Sequence, residues 1–161
     1  MPTIVPDTCP HYPNGVAPNH ECNAPIIFVT EAPGRTENHL RRLCVGKSGH
    51  LLDEIFEKVG ISRKRDVYFT SILNCQPKGN KIETASRDDI AEGIARLLAT
   101  VSRSGSRVVV PTGNIALRAL TGQSSITKWR GSIIPAYDRL VIPTIHPKDC
   151  LRQPILAKTC I

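Results

Sequence analysis

The chain has 161 residues, 40% of them apolar, with 21 Lys and Arg against 14 Asp and Glu, a formal net charge of +7. That length fits one domain that buries a core without disulfide staples, and no apolar run reaches the roughly 20 residues needed to span a bilayer. The N-terminus lacks a secretory signal's basic and apolar regions, so a cytoplasmic protein with no membrane partner is expected. The positive excess points to a polyanionic partner, nucleic acid above all, with a merely soluble basic surface as the alternative.

In chain order, residues 1–25 are rich in Pro, Asn and His and carry no periodic element. "PIIFVT" then reads as a buried strand that ends in the turn "EAPGRTEN". Leu51, Leu52, Ile55, Phe56 and Val59 fall at helical spacing, with Gly60 closing the helix. "DVYFTSIL" reads as a second strand. Ser86 is placed to cap a helix with acids in its first turn and Ile90, Ile94, Leu97, Leu98 and Val101 on one face. "RVVVPTG" gives a third strand, "NIALRALTG" a short helix and "LVIPTIHP" a fourth strand. This alternation predicts an α/β fold, a three-layer α/β/α sandwich on a mostly parallel four-stranded sheet, with residues 1–161 forming a single domain.

Such folds place their sites outside the carboxyl ends of the strands. Three strand ends here carry polar, turn-forming sequence: "TEAPG", "NCQPKGN" and "HPKD". The ordered set Glu31-Ala32-Pro33-Gly34, Glu37-Asn38, Val45-Gly46 through Leu51-Leu52, Thr70 through Lys81, Arg130-Gly131 and His146-Pro147 resembles the uracil-DNA glycosylase superfamily, family 4 in particular. The resemblance spans residues 9–154, with Leu151-Arg152 just behind the His-Pro pair.

The resemblance implies a monomeric enzyme that acts on DNA, flips out a base and hydrolyses its N-glycosidic bond. It implies Glu31 and Glu37 as the acids on the sugar and water side, and His146 as the donor to the base oxygen where negative charge develops. It further implies a base pocket of Ala32, Pro33, Gly34, Cys44, Ser71 and Asn80. Arg35, Lys47, Lys78, Lys81, Arg130 and Lys148 would contact DNA, while Leu151 and Arg152 would enter the duplex as the base leaves.

The chain departs from the family at informative places. Cys44 stands where the family stacks a phenylalanine on uracil, and Ser71 where it reads uracil with an asparagine. Both replacements are smaller, and Ser71 lacks the amide that reads a pyrimidine edge. A bulkier 5-substituted pyrimidine, such as the glucosylated hydroxymethylcytosine of phage DNA, is the expected substrate. Uracil itself, in base excision repair, is the alternative, and a base-binding module without chemistry is a third reading. Retention of Glu31, Glu37 and His146 argues against that third reading. The setting stays open between genome repair, phage metabolism and defence against phage.

The cofactor expectation is altered too. Family 4 holds a four-iron four-sulfur cluster on four cysteines, whereas two of the corresponding positions here are Tyr12 and Gly93. That cluster is not expected. Cys9, His11, His20 and Cys22 form a symmetric pair of Cys-x-His and His-x-Cys, a donor set that suits one structural, tetrahedral zinc. A metal-free segment is the alternative. The chemistry itself requires no cofactor.

Overall fold

The computed structural model describes residues 23–153 and residue 155. A five-stranded sheet forms the middle layer, in the order β2-β1-β3-β5-β4. Its strands are β1 (Ile26–Thr30), β2 (Val67–Ser71), β3 (Val108–Pro111), β4 (Ile134–Ala136) and β5 (Arg139–Val141). The helices are α1 (Arg35–Leu40), α2 (Lys47–Lys58), α3 (Arg63–Asp66), α4 (Arg87–Arg103), α5 (Asn114–Thr121), α6 (Ile126–Trp129) and α7 (Pro147–Arg152).

The period of two along β1 creates the layers. Ile27 and Val29 pack with Leu97 and Val101 of α4 and with Ala116 and Leu120 of α5. Phe28 points the other way and packs with Leu52 and Phe56 of α2 and with Val67 and Phe69 of β2. The rings of Phe28, Phe56 and Phe69 stand 5.5–6.3 Å apart, within the range where aromatic pairs attract beyond their burial. Burying such a side chain is worth about 1.5–3 kcal/mol. This one cluster therefore anchors α2 firmly to the sheet.

β1 lies between β2 and β3 and is parallel to both, with Ile26 opposite Val67 on one side and Val108 on the other. The connection from β1 to β2 runs through α2 on one face, and that from β2 to β3 through α4 on the other. Chain direction across the sheet therefore reverses at the carboxyl ends of β1 and β3, where open α/β sheets form a crevice.

The sandwich and its parallel core match the expectation, but the sheet has five strands instead of four. β4 is antiparallel to β5 and pairs Ile134 with Val141. The two are joined by Tyr137 and Asp138, both in the left-handed region at φ 52° and 55°. That is a two-residue hairpin built without the Gly or Asn that normally announces one. The last strand also stops at Val141, earlier than expected. Pro143 has no N–H to donate, and residues 142–146 continue as a loop that delivers His146. Ser86 caps α4 as expected, accepting the Asp89 amide at 3.0 Å, and Gly60 adopts φ +72° just past α2.

Candidate active site

Glu31 follows β1 directly. Its backbone extends the β1–β2 pairing beyond the strands, accepting the Leu73 amide at 2.9 Å. The odd positions of β1 face α5, so the Glu31 side chain turns that way and lies against Gly113, the residue capping α5. A β-carbon on Gly113 would fall 2.3 Å from Glu31 Oε1 and displace the Glu31 side chain. The same oxygen accepts the Ile115 amide at 3.4 Å, at the positive end of the helix. Burial raises the Glu31 carboxyl above its ordinary range. The Ile115 and Asn114 amides oppose that rise, while the charges of Glu83 and Asp149 add to it. The carboxyl thus sits in the β1–β3 crevice with a heightened affinity for a proton.

Glu37 belongs to α1 and is buried. Its Oε1 accepts the amides of Val45 at 3.1 Å and Gly46 at 2.8 Å. Its Oε2 faces Gly34, where a β-carbon would approach it to 2.7 Å. Gly34 has φ −82°, an ordinary value, and a side chain there would push the Glu37 carboxylate aside. Glu37 consequently ties the Pro33–Gly34 turn to the Val45–Gly46 turn.

His146 caps α7. Its Nδ1 accepts the Lys148 amide at 3.0 Å. Nδ1 is therefore the acceptor nitrogen, and the neutral ring carries its proton on Nε2. Burial lowers the His146 pKa below its ordinary 6.5. Asp149 pulls it up, Lys148 pushes it down and Glu37 pulls it up. The imidazole is thus held neutral near pH 7, with an N–H donor free for a developing oxyanion.

The residues expected to line a base pocket lie at strand ends and in turns. Ser71 is buried at the end of β2, in register with Thr30, and its hydroxyl donates to the Leu73 carbonyl at 2.6 Å. Cys44 packs against the Phe28–Phe69 cluster with φ 53°. Burial pushes its thiol pKa up to about 12, so it is a neutral, small wall and not a nucleophile. Pro33 is buried and Ala32 packs on the α4–α5 core. Asn80 is exposed at φ 57° on a short turn, where its Oδ1 accepts from Gln76 at 2.7 Å, whereas Glu37 and Ser71 are buried.

Arg35, Lys47, Lys78, Lys81, Arg130 and Arg152 are exposed and Lys148 is half-buried. Leu151, on α7, is 46% exposed, an apolar side chain held in solvent beside His146's helix. Arg130 donates to the Thr127 carbonyl at 2.7 Å, which steadies the short α6.

Three contributors escaped the sequence reading. Gly113 ends the "RVVVPTG" run expected as the third strand, yet it caps α5 and makes room for Glu31. Asp149, inside the "HPKD" loop, acts on both Glu31 and His146. Arg63 stands in the charged segment "SRKRD", which carries no motif.

Cys9, His11, His20 and Cys22 lie outside the described residues. Among the described residues no group of three or more His, Cys, Asp or Glu is arranged to hold a metal. Position 93 does not fit a ligand of the four-cysteine cluster of family 4. At position 93 a β-carbon would fall 2.1 Å from the Ile72 carbonyl oxygen, so α4 is docked where only glycine fits and no thiolate can stand. Arg96 reinforces that docking by donating to the same carbonyl at 2.6 Å.

Known proteins resemble this chain along most of its length. The family profile described as the uracil DNA glycosylase superfamily matches residues 18–160. A type-4 uracil-DNA glycosylase of Thermotoga maritima is 36% identical over 131 residues, covering 80% of this chain and 67% of that protein. One from Pyrobaculum aerophilum is 29% identical over 163 residues, covering 93% of this chain and 81% of that protein. A DNA polymerase of Bacillus phage SP01 is 36% identical over 131 residues, which is 81% of this chain and only 14% of the polymerase.

Proposed function

Because the chain belongs to the uracil-DNA glycosylase superfamily, we propose that it is a monofunctional DNA glycosylase, acting as a monomer to flip a base out of DNA and hydrolyse its N-glycosidic bond. The bond between the sugar C1′ and the base nitrogen breaks, and its electron pair moves onto the base. Water oxygen bonds to C1′, and the water's proton passes to Glu31, whose burial raises its proton affinity. The Glu37 carboxylate faces the cationic sugar. His146 donates through Nε2 to the base oxygen, and its fixed acceptor bond from the Lys148 amide is the observation that carries this reading. Removing such a donor costs about 2.7–4 kcal/mol in the transition state.

The base is a pyrimidine larger than uracil, of the 5-substituted kind represented by glucosylated hydroxymethylcytosine. Support comes from Ser71, whose hydroxyl is already engaged by the Leu73 carbonyl and which offers no carboxamide to read a uracil edge. Cys44 adds to this, being too small to stack on a ring as phenylalanine would. A second reading, uracil excision in DNA repair, is favoured by the printed names of the Thermotoga and Pyrobaculum relatives. Incubating the protein with duplexes bearing either base, followed by alkali cleavage of abasic sites, separates the two readings. Retention of DNA without strand breaks would instead identify a binding module.

A further inference from the structure

The turn from Leu43 to Gly46 forms one wall of the proposed base pocket, and Arg63, Glu37 and α2 fix it. Arg63, the first residue of α3, donates through Nη2 to the Leu43 carbonyl at 2.9 Å and the Cys44 carbonyl at 2.6 Å. Its Nη1 donates to Asp53 of α2 at 2.6 Å. The guanidinium also lies 4.4 Å from the ring centroid of Phe69, the residue two before Ser71 on β2. From the opposite side, Glu37 accepts the Val45 and Gly46 amides. Finally, α2 packs onto the Cys44 carbonyl so closely that a β-carbon at Gly49 would fall 1.9 Å from it.

This turn belongs to neither helix nor sheet, and Cys44 holds a left-handed backbone that a side chain disfavours. Its conformation is therefore imposed by these partners. Arg63 is the one that joins the turn to both neighbouring elements, α2 through Asp53 and β2 through Phe69. Its planar fork spans two carbonyls and a carboxylate at once, a geometry that lysine cannot reproduce.

We propose that Arg63 is a positioning residue that sets the width of the base pocket, and so which bases are accepted, by clamping the Leu43–Gly46 turn. This rests on the glycosylase reading above. Arg63 touches no reacting atom; it acts through Cys44 and, across the turn, through the amides that Glu37 holds.

The test uses the full chain with R63K and R63A. Amide exchange is followed at Val45 and Gly46, which Arg63 does not bond directly, and single-turnover excision is measured for uracil and for glucosylated hydroxymethylcytosine. Exchange at both amides should accelerate in R63A, with R63K intermediate, while Leu97 and Val101 in α4 keep the parent's protection. The ratio of the two excision rates should change by roughly ten- to a hundredfold, the scale on which small displacements of a positioned group act. Unchanged protection at Val45 and Gly46, or lowered thermal stability with the parental excision ratio retained, overturns the proposal. If R63A unfolds, R63K decides by the same two readouts. A parent that excises neither base refutes the glycosylase reading, and the amide exchange alone then decides whether the clamp exists.

Discussion

The Glu37 carboxylate accepts the Gly46 amide at 2.8 Å while its other oxygen faces Gly34, so a single side chain joins the two turns that flank the proposed pocket. Charge and support can be separated by substitution. Glu37→Gln keeps an acceptor for the Val45 and Gly46 amides and should fold normally, yet slow single-turnover excision because it removes the negative charge facing the sugar. Glu37→Ala leaves two amides unpaired and should lose about 1–3 kcal/mol of stability. Thermal denaturation and single-turnover kinetics of both variants check this.

His146→Ala should slow excision by about 2.7–4 kcal/mol in activation free energy while DNA affinity is retained. The pH dependence follows from its lowered pKa. The folded protein holds the ring neutral where the unfolded chain already binds a proton, so stability from this group is present above pH 6.5 and is lost as pH falls through the lower folded value. In the parent, protonation of Glu31 and of His146 should both shape the acid limb of the rate profile, and the alanine variant should keep only the part due to Glu31.

Glu31 carries the opposite sign. Its folded pKa lies above 4.5, so the folded state holds a proton that the unfolded chain has released, and stability declines as pH rises from 4.5 through the folded value. Glu31→Gln should therefore be at least as stable as the parent at pH 7, with that advantage vanishing below pH 4.5. The same variant should slow excision about 10²–10⁴-fold, the scale of a lost general base. Melting curves across pH and single-turnover rates test both halves.

The glycine at the α4–β2 contact makes a prediction about metal. Gly93→Ala introduces a β-carbon against the Ile72 carbonyl and should cost about 1–3 kcal/mol through overpacking. Reconstitution of the parent with iron and sulfide should give no stoichiometric four-iron cluster. Four irons per chain would contradict the misfit argued from Gly93.

Much of this was legible in the sequence because it depends on local pattern. β1, β2 and β3 are short apolar runs bounded by turn residues, and α4 declares itself through Ser86 and one apolar face. The hairpin of β4 and β5 was hidden, since Tyr137 and Asp138 take positive φ without glycine or asparagine, and Pro135 reads as a strand breaker. At the site, Glu31, Glu37 and His146 were named from motif order. Their partners were not, because Gly113, Arg63 and Asp149 act through distance in space that no sequence spacing encodes. Glu31 meets Ile115, 84 positions away.

The central claim is that this site removes a base, and one larger than uracil. Its most direct measurement is single-turnover release of base from duplexes carrying uracil or glucosylated hydroxymethylcytosine, made on the parent and on Cys44→Phe, Ser71→Asn. The account predicts faster release of the bulky base by the parent, and a shift toward uracil in the double variant, where a stacking ring worth about 1–3 kcal/mol is restored. Preference for uracil by the parent would contradict the enlarged pocket, and release of neither base would contradict the assignment of Glu31, Glu37 and His146 to catalysis.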